Sequence, residues 1–403
     1  MINWRFWERK QKSVPSSYIR TMIMRNSASW TAFDFFAFAT EGYAQNPTVR
    51  ACVRAIAAAC ADLPITVVDD QGNIKDKAKI LQQLKRPNSK QTYQQLITEI
   101  VTNRLISGEC AIYNLGVGSQ LELMALRPDW LSIVETEMGY PKTWVYSASD
   151  AGMSAMRIPD EMLCKWFEYN PVDRYRGLSL LSSCAYAIDT LNSYASSNKA
   201  VLDNGVTPSG VLSTATELSD TSFGRLQTQF SDKYAGAKNN GKPMILEGGL
   251  SWQQTGMSPR EMEYINGKRA NELDVCKVLG VPPQIVGIEG SQTFANYEQA
   301  RASFYEDTVI PLMNSLLSDL QRYIDPQNIS GGSLCVEVDK VTALEPRRAE
   351  RMKTVDGVNS LTINEKRGMI GKQAVDEGDV ILVQSSMIPL DLAGADPVSS
   401  TGN

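Results

Sequence analysis

Residues 236–242 read Gly-Ala-Lys-Asn-Asn-Gly-Lys and match the first seven positions of a phosphate-binding P-loop. A Ser or Thr hydroxyl should follow the lysine to hold Mg²⁺, but Pro243 stands there. The order of the predicted elements is also inverted, because these glycines leave a helix and enter a strand. A P-loop instead leaves a strand and opens a helix whose N-terminus binds the phosphate. The stretch therefore predicts a helix end and a solvated basic turn, with no nucleotide cofactor.

Carboxylates cluster at two other places. Asp376, Glu377 and Asp379 offer oxygen ligands for a divalent cation, which is the basis of one alternative function, a metal-dependent phosphoesterase or nuclease. Adjacent acids around a glycine are more typical of a solvated turn, so we predict no metal site. Residues 69–73, Asp-Asp-Gln-Gly-Asn, lack the alternating ligands and terminal Glu of a calcium loop and indicate a hairpin turn.

Composition argues against an enzyme. The 403 residues include no histidine, which removes the commonest general base, proton shuttle and metal ligand together. The seven cysteines are scattered without a C-x-x-C pair and predict reduced, buried thiols. Ser-His-Asp, Cys-His and His-based zinc chemistry are therefore excluded, and we expect neither an enzyme nor a cofactor.

The net charge of -5 argues against a basic surface that grips nucleic acid. An acidic protein can still surround DNA that must slide. The sequence contains no apolar run of about 18 residues, and its start lacks the apolar run of a signal peptide, so no membrane partner is predicted.

The most informative element is an apolar loop between two helices. The first helix ends at Gly280, and Pro282-Pro283 prevent its continuation because neither ring nitrogen can donate a hydrogen bond. A long helix then begins near Ala295 and runs to Ile324, and Pro311 in its interior should kink it. An apolar loop is costly to leave in water, so something should cover it or pass beside it.

The elements before this loop predict an α+β block and then a helical one. Asn46-Pro47 should cap a helix that ends at Pro64, and a strand at 65–68, a helix at 92–106 and a hairpin around 116–118 follow. Further on, helical periodicity over 181–202, a β-α-β unit with strands at 209–213 and 243–246, and a capping box at Ser258 are predicted.

The two ends of the chain are predicted to be less ordered than its middle. Residues 1–45 mix aromatic, basic and small residues without periodicity, so this arm is expected either to dock on a neighbouring subunit or to be disordered. After the loop come a strand at 334–338, a charged helix near 347–353 and a short helix capped by Thr362 and Glu365. The last residues, 393–403, predict a flexible tail.

Three ordered stretches resemble the phage portal protein family. They are Asn-Pro-Thr-Val-Arg-Ala-Cys-Val at 46–53, Leu-Gly-Val-Pro-Pro-Gln-Ile-Val at 279–286 with the helix behind it, and Leu-Thr-Ile-Asn-Glu-Lys-Arg at 361–367. The resemblance spans roughly 46–390 and implies an α+β portal fold that assembles into a ring of twelve subunits at one capsid vertex.

The resemblance divides the chain by function. It implies an N-terminal arm (1–45), a wing (46–175), two stem helices (176–205 and 258–280) with a clip between them (206–257), a tunnel loop (281–294) and a long kinked helix (295–325). The remaining residues, 326–403, would supply a wing return strand, crown helices and the flexible tail.

The resemblance also implies sites and partners. Residues expected to face DNA in the channel are Val281, Gln284, Ile285, Val286, Gly287, Ile288, Glu289 and Gln292. Residues expected to dock the terminase motor or the head-tail connector are Arg225, Gln229, Lys233, Lys238 and Lys242. The stem would add a sparse ring of positive charge from Arg260, Lys268 and Arg269. The implied partners are further copies of the chain, double-stranded DNA, terminase, the connector and the major capsid protein. The implied location is the virion, with the host cytoplasm during assembly.

Two alternatives remain at this point. One is the nuclease that would use Asp376, Glu377 and Asp379, and it requires metal-dependent cleavage. The other is a neck adaptor or another structural ring protein. The order helix, insert, helix, loop, long helix favours a portal over both.

Overall fold

The computed structural model describes residues 35–116, 121–137, 140–147, 154–203, 210–214, 221, 224–225, 228, 250–254, 260–288 and 294–381. The chain divides into two compact units, Met1–Glu337 and Val338–Asn403. In chain order the labelled elements are α1 Pro47–Ala61, β1 Ile65–Val68, α2 Lys79–Leu84, α3 Tyr93–Ser107, β2 Glu109–Asn114, β3 Leu123–Leu126, β4 Leu131–Glu137, β5 Tyr140–Tyr146, β6 Met156–Pro159, β7 Leu163–Phe167, α4 Leu180–Ser183, α5 Ala185–Asp203, β8 Gly210–Thr214, β9 Leu250–Gln254, α6 Arg260–Leu279, α7 Phe294–Ser303, α8 Ile310–Ile324, β10 Ser333–Val336, α9 Glu345–Asp356 and α10 Ile363–Met369.

Helix α1 is the centre of the first unit and confirms the helix predicted there. The Asn46 side chain accepts hydrogen bonds from the backbone N–H groups of Thr48 and Val49, so the first turn is capped, and Pro47 occupies the first helical position. One face is fully buried, and it packs against α3, α6 and the segment that precedes α8. The buried residues of that face include Val49, Cys52, Val53 and Ile56.

The start and the end of helix α3 are each fixed by a capping interaction. Thr92 and Gln95 form a capping box, and the chain leaves the helix at Gly108 with φ of 78°. A Cβ at Gly177 would lie 1.9 Å from the Gly108 carbonyl oxygen, so the chain entering α4 passes directly against this helix end. Only glycine permits that approach.

All the strand pairs of the described residues are antiparallel. Strands β3-β2-β7 and β4-β5-β6 form two three-stranded sheets over one apolar cluster centred on Trp144, Ile158 and Leu126. The strand β10 returns from the C-terminal side of the unit to pair with β1. Gln321 of α8 fixes it, because its side chain accepts from the Leu334 N–H and donates to the Gly332 carbonyl. The predicted α+β block and the turn at 69–73 are thus both present, and the Asp69 carboxylate closes that turn on the Gln71 and Asn73 N–H groups.

Residues 35–44 differ from the expectation for an N-terminal arm. They are helical, as Phe35–Ala37 and a π-helical Phe38–Ala44, and Phe38 is buried within the same chain. The guanidinium of Arg127 lies 5.8 Å from the Phe35 ring and 4.1 Å from the Trp130 ring. This part of the arm therefore packs on its own unit, since its aromatic residues find partners there that periodicity alone did not show. Residues 1–34 lie outside the described part of the chain.

The long helix after the loop is interrupted before its proline. Helix α7 continues into a π-helical segment, Phe304–Val309, and α8 begins at Ile310 with Pro311 in its first turn. The N–H of Ile310 bonds to the Tyr305 carbonyl, five residues back. Because Pro311 cannot donate and its ring crowds the preceding turn, the helix widens into a π segment on the N-terminal side of the proline. The predicted irregularity is therefore a widened turn over six residues.

Candidate channel loop and helical stem

Helices α5 and α6 pair with each other, and both change character along their length. The start of α5 and the end of α6 are buried in the first unit, where Ile188, Leu191, Val275 and Leu279 lie. Beyond Leu191 most of the described residues of α5 are exposed, and so is most of α6 from Ile265 to Ala270. The predicted single helix over 181–202 is broken at Cys184, between α4 and α5. The pair therefore has a buried base and an exposed distal part.

The two helices approach closely at one glycine. A Cβ on Gly267 of α6 would lie 2.9 Å from the Tyr194 hydroxyl of α5. The missing side chain lets the tyrosine lie against the α6 backbone. This pair was not predicted, because a mid-helix glycine alone gives no sign of its partner.

The base of α6 ends in a Schellman motif. Gly280 has φ of 66°, its N–H bonds to the Lys277 carbonyl, and the Val281 N–H bonds back to the Cys276 carbonyl. Val281 is buried, at 2% exposure. Its inclusion among the channel-facing residues was wrong, because an apolar contact between this position and the last helical turn is part of the motif. Val281 anchors the loop.

The loop beyond the anchor is a compact turn. Ile285 N–H bonds to the Pro282 carbonyl and Ile288 N–H to the Pro283 carbonyl, with Gly287 at φ of 77°. A Cβ at Gly287 would meet nothing within 4 Å. Five of the residues expected to face DNA lie together on this turn: Gln284, Ile285, Val286, Gly287 and Ile288. Gly287 is exposed and the other four are half-buried. Glu289 and Gln292 lie outside the described residues.

The π-helical segment holds the start of this loop. Thr308 donates from its hydroxyl to the Gly280 carbonyl at 2.7 Å, and its Oγ1 would be 2.8 Å from a Cβ at Gly280. Burial raises the pKa of Tyr305 in the same segment, an effect that nearby Arg301 opposes. The loop is therefore fixed to both helices that flank it. Thr308 was missed, because nothing in its sequence context distinguishes it from a solvated helical threonine.

The junction between the sheets and α4 contains a buried ion pair. Glu109, at 8% exposure, lies 2.5 Å from Arg176 and accepts from the Gly177 N–H at 3.1 Å. Arg176 also donates to the backbone carbonyls of Leu131 and Pro128. Burial raises the pKa of the Glu109 carboxyl, and the arginine opposes that shift. This network, also unforeseen, fixes the direction in which the chain enters α4.

Some basic side chains of α6, the helix expected to form part of the stem, make ion pairs with acidic side chains of the same helix. Lys268 lies 3.8 Å from Glu272, and Lys277 lies 3.0 Å from Asp274. Lys268 and Arg269 are exposed, and Arg260 is the first residue of α6. These pairs lie on one helix, as the interleaved acidic residues suggested.

The segment expected to form the clip, 206–257, is described only in pieces. Arg225 is helical and exposed, whereas Gln229, Lys233, Lys238 and Lys242 lie outside the described residues, as do the P-loop-like stretch, the predicted strand at 243–246 and Ser258. The described partner of β8 is β9, Leu250–Gln254, and the two strands are antiparallel. Strand β9 was not predicted, because its residues Leu-Ser-Trp-Gln-Gln alternate only weakly in polarity.

The acidic cluster of Asp376, Glu377 and Asp379 lies in a turn that hydrogen bonds to Asn364 stabilise. Asp379 accepts from the Asn364 amide at 2.8 Å, and the Asn364 N–H bonds to the Gly378 carbonyl. Glu377 has φ of 60°. Within the described residues, no group of three His, Cys, Asp or Glu side chains could hold a metal ion. In the same part of the chain, no helix is long and apolar enough to cross a membrane.

Comparison with known proteins identifies the family. The model of the phage portal protein family matches residues 47–371, which is most of the chain, and the chain belongs to that family. The portal protein of Enterobacteria phage HK97 is 24% identical over 361 residues, covering 86% of this chain and 83% of that protein. An uncharacterized protein of Rickettsia bellii (strain RML369-C) is 29% identical over 348 residues, covering 84% of this chain and 90% of that protein.

A solved structure agrees with this assignment. A chain in the neck of a native gene transfer agent (GTA) particle, computed with C12 symmetry, is similar with a TM-score of 0.66 and 29% identity. The match covers 86% of this chain and 96% of that one. The predicted portal family and the α+β portal fold are both confirmed.

Proposed function

We propose that copies of this chain form a ring at one capsid vertex, through which double-stranded DNA is packaged and later ejected. The observation that carries the proposal is the pair of helices α5 and α6. The pair is buried at its base and mostly exposed beyond it, and the fixed loop at 281–288 follows the base directly. Membership of the portal family and the C12 symmetry of the similar neck structure support a twelve-subunit ring. Portal proteins as a family are structural, so a separate terminase would hydrolyse ATP.

The net charge of the ring favours DNA that slides through the channel over DNA that the protein binds tightly. Each chain carries a net charge of -5, so a twelve-subunit ring is strongly acidic and should mostly repel phosphate. DNA contact would then come from the turn that holds Gln284, Ile285 and Val286, with Glu289 and Gln292 as further polar members. Lys268 and Arg269 would add sparse positive charge along the stem. The clip residues Arg225, Gln229, Lys233, Lys238 and Lys242 would dock terminase and then the connector.

The C-terminal unit supports assembly for a separate reason. In the described stretch 338–381, neither α9 nor α10 contains a buried residue. This stretch still carries seven of the large apolar side chains that are more than a third exposed, although it is a small part of the chain. They are Val338, Met352, Val358, Met369, Val375, Val380 and Ile381. Such a concentration is typical of a surface that a partner covers, and we assign neighbouring copies of the chain to it.

Assembly is tested by particle mass and by imaging of the purified chain. We expect closed rings of twelve subunits for the wild type. Met369→Lys combined with Met352→Lys should weaken the rings, because two charges would enter the proposed subunit contact. Ser360→Lys, at an exposed position of the same unit, is the matched control and should leave the rings intact. A monomer that forms no rings in several salt conditions would refute the proposal.

The role of the loop is tested by replacing Ile285, Val286 and Ile288 with serine. The rings should persist, because the proposed subunit contacts lie elsewhere, while packaging or retention of the genome should fall. The control is Ile329→Ser, which changes a 78% exposed isoleucine of another loop. Normal packaging by the loop variant would show that the loop does not contact DNA.

A further inference from the structure

Two buried cysteines meet where the stem enters the core. Cys52 of α1 and Cys276 of α6 are 0% and 1% exposed, and their Sγ atoms lie 3.7 Å apart. They are 224 residues apart in sequence, so only the tertiary fold brings them together. Both stand on helices whose neighbouring positions, Val53 and Val275, are fully buried, which holds the two backbones in fixed relation.

We propose that Cys52 and Cys276 form a site of oxidative modification, an intramolecular disulfide that a hydroperoxide produces. Hydrogen peroxide is the oxidant we assign, because a molecule of its size can reach buried sulfur more readily than a peptide disulfide can. The chemistry is distinct from DNA passage and does not depend on the proposed function.

The reaction needs no further component. The Cys276 thiolate attacks one peroxide oxygen, the O–O bond breaks, and the departing hydroxide takes up a proton to form water. Cys276 is then a sulfenic acid. The Cys52 sulfur attacks the Cys276 sulfur, the S–O bond breaks, and the oxygen leaves as a second water with the Cys52 proton. Two thiols lose two electrons and peroxide gains them.

The surroundings favour this order of events. The hydrogen bond to Cys276 and burial raise the pKa of the Cys52 thiol, and the same hydrogen bond lowers the pKa of Cys276. When Cys276 is the thiolate, the Cys52 S–H can donate to it across the 3.7 Å contact, which favours attack by Cys276. Other buried thiols have oxygen neighbours instead: Cys60 contacts the Val309 carbonyl, and Cys164 contacts the Asp319 carbonyl. Burial raises the pKa of each of these two to about 12.

The bond would have a structural consequence. Cys276 lies in the last turn of α6, and its carbonyl accepts the Val281 hydrogen bond that anchors the loop. A disulfide to α1 would fix this turn covalently. A reduced chain in the cytoplasm and an oxidised one in particles outside the cell would then differ in how firmly the base of the stem is held.

The experiment treats the full-length, assembled protein with hydrogen peroxide, alkylates the remaining thiols in denaturant and maps disulfides without reduction. We expect two of the seven thiols to be lost together, a Cys52–Cys276 peptide pair as the main product, and full recovery with dithiothreitol. Cys60→Ser, two turns further along α1, is the matched control and should leave the bond unchanged. Cys276→Ser should abolish the paired loss, and circular dichroism would show whether that variant is folded.

Some outcomes would overturn the assignment. A main product that joins Cys52 to Cys184, or oxidation confined to the partly exposed Cys335, would contradict the pairing. So would the loss of thiols one at a time without a crosslink in the wild type, a result that does not depend on any variant folding.

Discussion

The two halves of α6 belong to one continuous helix but have different surroundings. From Ile265 to Ala270 the helix is mostly exposed, with Ile265 itself at 66%, whereas Val275, Cys276 and Leu279 are buried. The first half contacts α5, where Gly267 lies against the Tyr194 hydroxyl, and is otherwise mostly exposed, whereas the second half packs against α1 and α4. One continuous helix thus supplies a core element at its base and a mostly exposed surface beyond it, because burial is decided by what packs against each turn.

The largest change in the free energy of unfolding should come from a substitution in the buried half of α6. Leu279→Ala should lower the free energy of unfolding of the monomeric chain by roughly 2–5 kcal/mol, because it removes buried apolar volume. Ile265→Ala should change it by less than about 0.5 kcal/mol, since the side chain is already in water. Urea unfolding followed by circular dichroism measures both. Equal effects would mean that the two halves do not differ.

The next effect concerns the end of the helix. Gly280→Ala and Gly287→Ala should each cost about 1–2 kcal/mol, because both glycines have positive φ. Gly280→Ala should cost about 1 kcal/mol more, since its Cβ would also disturb the Thr308 hydrogen bond. In a Thr308→Ala background the difference between the two variants should shrink. A difference that persists there would show that Thr308 does not hold the loop.

A smaller effect is expected in the exposed half. Alanine at Gly267 would gain about 1 kcal/mol of helix propensity, but its Cβ would meet the Tyr194 hydroxyl. Gly267→Ala should therefore be neutral or destabilising in the wild type and stabilising in a Tyr194→Phe background. Thermal unfolding of the wild type, the two single variants and the double variant measures the reversal. Stabilisation in both backgrounds would mean that α5 and α6 do not approach at this point.

The smallest effect should come from the charges. Lys268→Ala removes a pair with Glu272 that is partly in water, and it should change the free energy of unfolding by at most about 0.5 kcal/mol. Lys277→Ala, which removes the pair with Asp274, is the control near the base and should act similarly. A loss of packaging in Lys268→Ala without a loss of stability would sharpen the proposed role of the stem charges.

Local signals explain which elements could be predicted from the sequence. The N-cap at Asn46, the capping box at Thr362 and the turn at Asp69 each depend on residues within about four positions, so their sequences are sufficient. The helix end at Gly280 and the irregularity before Pro311 follow from the missing Cβ of one residue and the missing N–H of the other. These short-range constraints also carry the resemblance to the portal family.

Contacts across the fold could not be predicted in this way. The hydrogen bond from Thr308 to Gly280 and the meeting of Cys52 with Cys276 each join residues that are far apart in the sequence. The burial of Val281 was misjudged because an apolar loop residue gives no sign of whether its own chain or another covers it. Sequence by itself therefore determined the ends of the elements that local caps and turns close, since capping and turn formation are local, but it did not show the break at Cys184 or strand β9. Only the tertiary structure decided which apolar side chains are buried within the chain and which stay exposed, because burial depends on residues that distant parts of the sequence supply.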